Sequence, residues 1–145
     1  MRRADDGLRS ELHTHLPRIH WQAIESGLTG GGIPDSNFCW RGVEGWVECK
    51  ATQHWSVTLE PAQVGWHLRR ARAGGRTFVA VRRRLRVATK VRPPFDELWL
   101  CRGAAAASLR ASGLRGATER GEVLGVWTGG PSLWHWAEVE ALLLA

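Results

Sequence analysis

Asp35, Glu48 and Lys50 are residue types that could share one chemical task. They stand in GGIPDSNFCWRGVEGWVECK, residues 31 to 50, where Arg41-Gly42 has the composition of a turn between two strand-like segments. Side chains alternate along a strand, so Glu44, Trp46, Glu48 and Lys50 share one face while Val47 and Cys49 take the other. If segments 33–40 and 43–51 pair as a hairpin, Asp35 falls near Glu48, and two carboxylates and an ammonium converge. Carboxylates so close disfavour joint ionisation unless a cation intervenes. Mg²⁺ or Mn²⁺ suits such a place, because hard cations take oxygen ligands and often combine one or two carboxylates with a substrate phosphate. Such an ion would polarise a phosphodiester oxygen, lower the pKa of a water and offset charge on the departing oxygen. Lys50 would stabilise the transition state or orient the nucleophile. The chemistry implied is metal-dependent phosphodiester hydrolysis.

The elements that must position these groups read off the pattern. Residues 5–16 form a helix with Leu8, Leu12 and Leu16 on one face, Asp5 and Asp6 at its positive end, and Pro17 beyond it. Residues 18–26 read as a strand and 27–32 as a glycine-rich loop. Residues 58–73 form a second helix, with Thr58 as cap, Pro61 in the first turn and Gly74-Gly75 as the stop. Strands are expected over 76–84, 97–102 and 122–127, a short helix over 103–114 and a closing helix over 132–145. The fold class is α/β, a mixed sheet with helices packed on it. The 145 residues are the size of one domain, with a core over about 5–84 and an α/β tail over 85–145.

Composition narrows the partners. The net charge is +6, carried almost wholly by arginine, whose planar fork suits phosphate. Nucleic acid is therefore the favoured partner. Arg69, Arg70, Arg72, Arg76 and the run Arg82-Arg83-Arg84 are the expected DNA-backbone contacts. Trp40 and Trp55 are candidates for stacking on an unpaired base. Gln63, His67 and Arg70 make one stripe of the second helix that faces either the cleft or solvent. No apolar run reaches membrane-span length, and the N-terminus has no apolar signal core. Three cysteines, Cys39, Cys49 and Cys101, suggest neither a disulfide framework nor a zinc site, which fits a reducing cytoplasm. His13 and His15, two apart on a helix, are poorly placed for one zinc ion.

Pro34-Asp35 followed by Glu48-Cys49-Lys50, behind a helix bearing Glu11 and ahead of one bearing Gln63, resembles the PD-(D/E)XK nuclease superfamily. The likeness is greatest to Holliday-junction resolvases and small phage and VRR-type nucleases, and it spans roughly residues 8 to 84. It implies a restriction-endonuclease-like fold and Mg²⁺ or Mn²⁺ held by Asp35, Glu48 and the backbone carbonyl of Cys49. It implies that Lys50 activates or positions water and that Glu11 adds a ligand or water contact, with Asp5, Asp6 or Glu25 as alternatives. Gln63 would orient Lys50 or substrate, and Ser26 to Gly32 would form the glycine-rich approach. The expected substrate is branched DNA and the expected assembly a homodimer, in the cytoplasm (of a host, if phage-encoded). A nicking or nonspecific nuclease, and a non-catalytic nucleic-acid-binding module of the same fold, are the alternative readings.

Overall fold

The computed structural model describes residues 4–25 and 31–145. Six strands form one mixed sheet in sequence order: β1 (His20–Ala23), β2 (Ser36–Trp40), β3 (Val43–Thr52), β4 (Thr77–Leu85), β5 (Phe95–Arg102) and β6 (Val123–Trp127). The β3–β4 pair is parallel and every other pair antiparallel. A parallel pair needs a crossover, and α2 (Pro61–Arg72) supplies it. The other helices are α1 (Leu8–His15), α3 (Ala106–Glu119), which breaks at Gly113, and α4 (Trp136–Leu144). The expected α/β class, a mixed sheet flanked by helices, is the architecture of the chain, and at this coarse level it matches a restriction-endonuclease-like fold.

Alternation along the central strands divides the core in two. Val47, Cys49, Ala80 and Leu100 face α1 and α4, meeting Leu8, Leu12, Val139 and Leu143. Val79, Val81 and Cys101 face the opposite way, toward Leu109, Leu114 and Ala117 of α3 and the segment bearing Val57 and Leu59. Residues paired in a parallel register point alike, and Glu48 pairs with Val79 and Lys50 with Val81. Glu48 and Lys50 therefore lie on the α2–α3 face. The β2–β3 turn is two residues, Arg41 and Gly42, both at positive φ. That is the backbone twist a tight hairpin requires.

Several boundaries differ from the sequence reading. α1 begins at Leu8 because Asp6 and Gly7 take positive φ, while the Asp5 carboxylate caps the turn by accepting from the amides of Gly7 and Arg9. The N-cap of α2 is Glu60 rather than Thr58, in a reciprocal capping box with Gln63. β2 starts at Ser36, so Asp35 sits just outside it. The stretch after residue 84 belongs to the same sheet, since β5 pairs with β4 along eight register positions.

The arginine run is also corrected. Arg82 and Arg83 are each only 4% exposed. Arg82 grips Asp96 with two hydrogen bonds, of 2.8 and 2.6 Å, and donates a third to the Asp6 carbonyl. Arg83 bonds Glu97 and the His54 carbonyl, its guanidinium 3.8 Å from the Trp55 ring centroid. Arg84 lies between Asp6 and Asp96. These cations, expected on a DNA-facing surface, instead hold β4, β5 and the N-terminal turn together. Trp55 is likewise engaged, stacked between Arg83 and Arg115. Leaving a buried partner charge uncompensated costs several kcal/mol. Arg82→Ala is expected to lower the Tm by roughly 10 °C, since about 3 kcal/mol corresponds to a few degrees per kcal/mol in a chain this size. Thermal unfolding followed by circular dichroism measures this, and a Tm within about 2 °C of wild type would remove the structural role.

Candidate active site at the end of the second strand

The β2–β3 ladder runs from the turn down to Ser36 opposite Val47 and then stops. The next rung is made by side chains. The backbone N–H of Cys49 donates to Asp35 Oδ2 at 2.9 Å. Asp35 is thus latched to the strand that carries Glu48, its carboxylate held by the Cys49 amide. On Glu48, burial and then the Asp35 charge raise the carboxyl pKa, while the Asp35 backbone opposes the rise. A strand residue directs its N–H and C=O to the same side. The Trp46 N–H bonds Arg76 on the β4 side, so Cys49, of opposite parity, turns its carbonyl toward the Asp35 notch.

Lys50 lies on the Glu48 face, with Nζ 3.8 Å from Glu48 Oε2. Its other anchor is Gln63, whose Oε1 accepts from Lys50 Nζ at 3.1 Å. The same oxygen accepts from the Glu60 N–H at 2.9 Å, the return bond of the capping box. Gln63 therefore ties the ammonium to the first turn of α2. That turn also meets the glycine-rich approach. At Gly32, φ is +90° and an added Cβ would lie 2.1 Å from the Ala62 carbonyl oxygen, so only glycine fits. Ser26 to Gly30, the rest of that approach, lie outside the described residues.

Burial governs the electrostatics. Glu48 is 6% exposed. Burial pushes both carboxyls above their usual range, most strongly Glu48, where the Asp35 charge adds to the rise and the Lys50 ammonium opposes it. On Asp35 the Cys49 amide, the Arg9 charge and the Ser36 hydroxyl pull the other way, while Asp5 pushes up. A buried pair that resists joint ionisation, with an amide-fixed geometry and a strand carbonyl beside it, is an oxygen-rich donor set of the kind a hard divalent cation takes. Among the described residues, no group of three or more His, Cys, Asp or Glu side chains is gathered for a metal ion.

The remaining expected residues divide. Gln63 joins Lys50, whereas Glu11 turns away, pairing with His15 at 3.3 Å on its own helix. Asp5, one of the alternatives to Glu11, acts on the carboxylate pair electrostatically. Glu25 is exposed and lies 3.6 Å from Arg9. His67, on the Gln63 stripe, is fully buried. It is hydrogen-bonded to Thr77 at 2.6 Å, and burial first, then the Lys50 charge, lowers its pKa to about 4. It is a core residue rather than a DNA contact. Arg69, Arg70 and Arg72 are exposed on α2, Arg70 stacking over Trp66 and Trp46, and Arg76 donates to the Ala145 carbonyl. Trp40 lies between Arg18 and Arg41.

Two contributors were missed in the sequence. Arg9 reaches the Asp35 carbonyl at 3.5 Å. The Ser36 hydroxyl donates to Asp35 Oδ1 at 3.2 Å and meets His13 Nε2 at 3.1 Å, with His13 stacked on Trp21. The available signal was parity: Ser36, next to Asp35, points to the α1 face, where Arg9 and His13 are four apart on one helix side. Neither protein-family models nor curated proteins give a match to this chain. No helix among the described residues is long and apolar enough to cross a membrane.

The raised carboxyls set a pH dependence. Between the ordinary carboxylate range and their raised values, the folded state binds more protons than the unfolded one. Stability therefore falls as pH rises through that window, and Glu48→Gln removes most of the fall. In chelator, the Tm of Glu48→Gln is expected to exceed that of wild type by about 3 °C at pH 8, about 1 kcal/mol, and to match it near pH 4. Parallel Tm–pH curves for the two proteins would contradict this electrostatic account.

Proposed function

We propose that the protein is a divalent-metal-dependent DNA endonuclease of the PD-(D/E)XK type, hydrolysing phosphodiester bonds. The observation that carries this reading is the Asp35 carboxylate fixed on the Cys49 amide, next to Glu48, with the Lys50 ammonium 3.8 Å from Glu48. Asp35, Glu48 and the Cys49 carbonyl would hold Mg²⁺ or Mn²⁺, which when bound neutralises phosphate charge and acidifies a water. Lys50, fixed by Gln63, points a compact charge at the substrate phosphate and orients the attacking water. Gln63 is a positioning residue, because it acts through Lys50. Arg69, Arg70 and Arg72 extend from the helix that begins at the site, and they supply backbone contacts. The resemblance of Pro34-Asp35 and Glu48-Cys49-Lys50 to junction-resolving nucleases makes branched DNA the preferred substrate. A homodimer would place two such sites on two strands, in the cytoplasm where such DNA is processed.

The test is cleavage of four-way, flap, single-stranded and linear duplex DNA with Mg²⁺ or Mn²⁺. Asp35→Asn is expected to reduce turnover at least 10³-fold, on the order of 4 kcal/mol of transition-state stabilisation, while DNA affinity changes less than about threefold. Lys50→Ala is expected to lower turnover by a similar factor, and Gln63→Ala by about 10- to 100-fold with unchanged affinity. Wild-type turnover in Asp35→Asn would overturn the assignment, and equal cleavage of all DNA shapes would replace branched-DNA preference with nonspecific cleavage.

A further inference from the structure

The cations of the β4–β5 hairpin divide abruptly at its end. Arg82, Arg83 and Arg84 are paired with acids, and the connecting residues 86–94, RVATKVRPP, then carry Arg86, Lys90 and Arg92 with no acidic residue. Residues 86–91 are exposed. Val87 and Val91 are 75% and 85% exposed, an apolar outlay that the fold leaves uncovered. The connection has a defined shape. The Thr89 N–H donates to the Arg92 carbonyl at 2.9 Å, and the Thr89 hydroxyl accepts from the Arg92 N–H at 3.1 Å. At its base Arg86 pairs with Asp6, and Arg92 stacks over Phe95. There the arm borders a recess of about 350 Å³ lined by Arg84, Arg86, Phe95, Asp96 and Gly129.

We propose that residues 86–94 are a basic arm that grips the phosphate backbone of the DNA flanking the cleaved bond. The inference rests on the endonuclease reading for its placement, though not for its binding chemistry. Arg86 is held at the base by Asp6, and the two cations beyond it, Lys90 and Arg92, sit on a pinned, projecting turn with no acidic residue, forming a local positive potential that attracts polyanions. The register gives the reach. Lys50 stands opposite Val81, and Arg86 follows five residues along the same strand direction. At about 3.3 Å per residue that is roughly 17 Å, and at 3.4 Å per base pair it spans about five base pairs of duplex. The arm therefore begins about five base pairs from the bond at the active site, and Lys90 and Arg92 meet phosphates beyond that point. The turn of Asp6, which clamps Arg86, follows the Asp5 that acts on the carboxylate pair, so arm and site share one support.

The experiment uses Lys90→Gln/Arg92→Gln, both distant from the site machinery, in the full chain. Binding to fluorescent duplexes is measured by anisotropy without divalent metal, across salt concentrations. On a 24-base-pair duplex, the slope of log K against log salt is expected to shrink by about 1.8, two contacts at about 0.9 each. Affinity is expected to fall at least fivefold at moderate salt. With branched substrates, cleavage of arms of 12 base pairs is expected to slow, while cleavage of arms of four base pairs is unchanged. An unaltered salt slope, or equal losses on long and short arms, overturns the proposal. A reduced slope in a protein that cleaves no DNA keeps the arm as a nucleic-acid contact and overturns only the endonuclease reading. An unchanged Tm for the variant shows that the loss is one of contact rather than folding.

Discussion

The candidate site depends on a strand that stops one rung short. Had β2 continued to pair past Ser36, the Cys49 amide would be satisfied by backbone and Asp35 would be one more ladder residue. Instead the chain enters from Pro34, which has no N–H to offer a ladder, and the Asp35 carboxylate takes the Cys49 amide itself. The Asp35 carbonyl is engaged as well, accepting from the Ile24 N–H. Two carboxylates are thereby fixed where burial opposes their charge. The fold tolerates that cost because amides, Arg9 and Lys50 partly compensate it.

The arginines show how one residue type serves two ends in one hairpin. Those at 82 and 83 are buried in paired geometry, with carboxylates of β5 and aromatic rings on either side. Removing the charge partner there would leave a cation stranded in a poorly solvated place. A few residues onward the loop carries no acid of its own: Arg86 reaches back to Asp6, Arg92 stacks over Phe95 and Lys90 is exposed. Net charge therefore says little by itself about which arginines meet a polyanion. What decides is whether the facing strand supplies a carboxylate at the matching register, as Asp96 does for Arg84 and Glu97 for Arg83.

Much of the frame was legible because it rests on period and punctuation. Alternation placed Glu48 and Lys50 on one face, and the hairpin with its Arg-Gly turn brought Asp35 alongside. The leucines of α1 and the Pro and Gly limits of α2 marked those helices within a few residues. What was not legible is set by long-range partners. The run 82–84 looks like a solvated basic stretch until Asp6, Asp96 and Glu97 arrive from other elements. Glu11 has the right helix but the wrong side, and a helical wheel does not say how the helix is rotated against the sheet. His67 reads as polar surface, yet it lies beneath Trp66 with Thr77 as its partner. Parity puts Ser36 on the α1 face and Arg9 and His13 on one helix side, but only the docking of α1 on the sheet brings them together.

Gln63 lends one oxygen to two donors, the Glu60 amide and the Lys50 ammonium. This makes the start of a helix and the charge of a reactive group mechanically inseparable. Any fraying of that first turn releases the ammonium, and any pull on the ammonium is felt at the helix start. The Glu60 amide proton is consequently a built-in spectroscopic gauge of the site, its resonance and solvent exchange reporting on Lys50 from the opposite side of a shared acceptor.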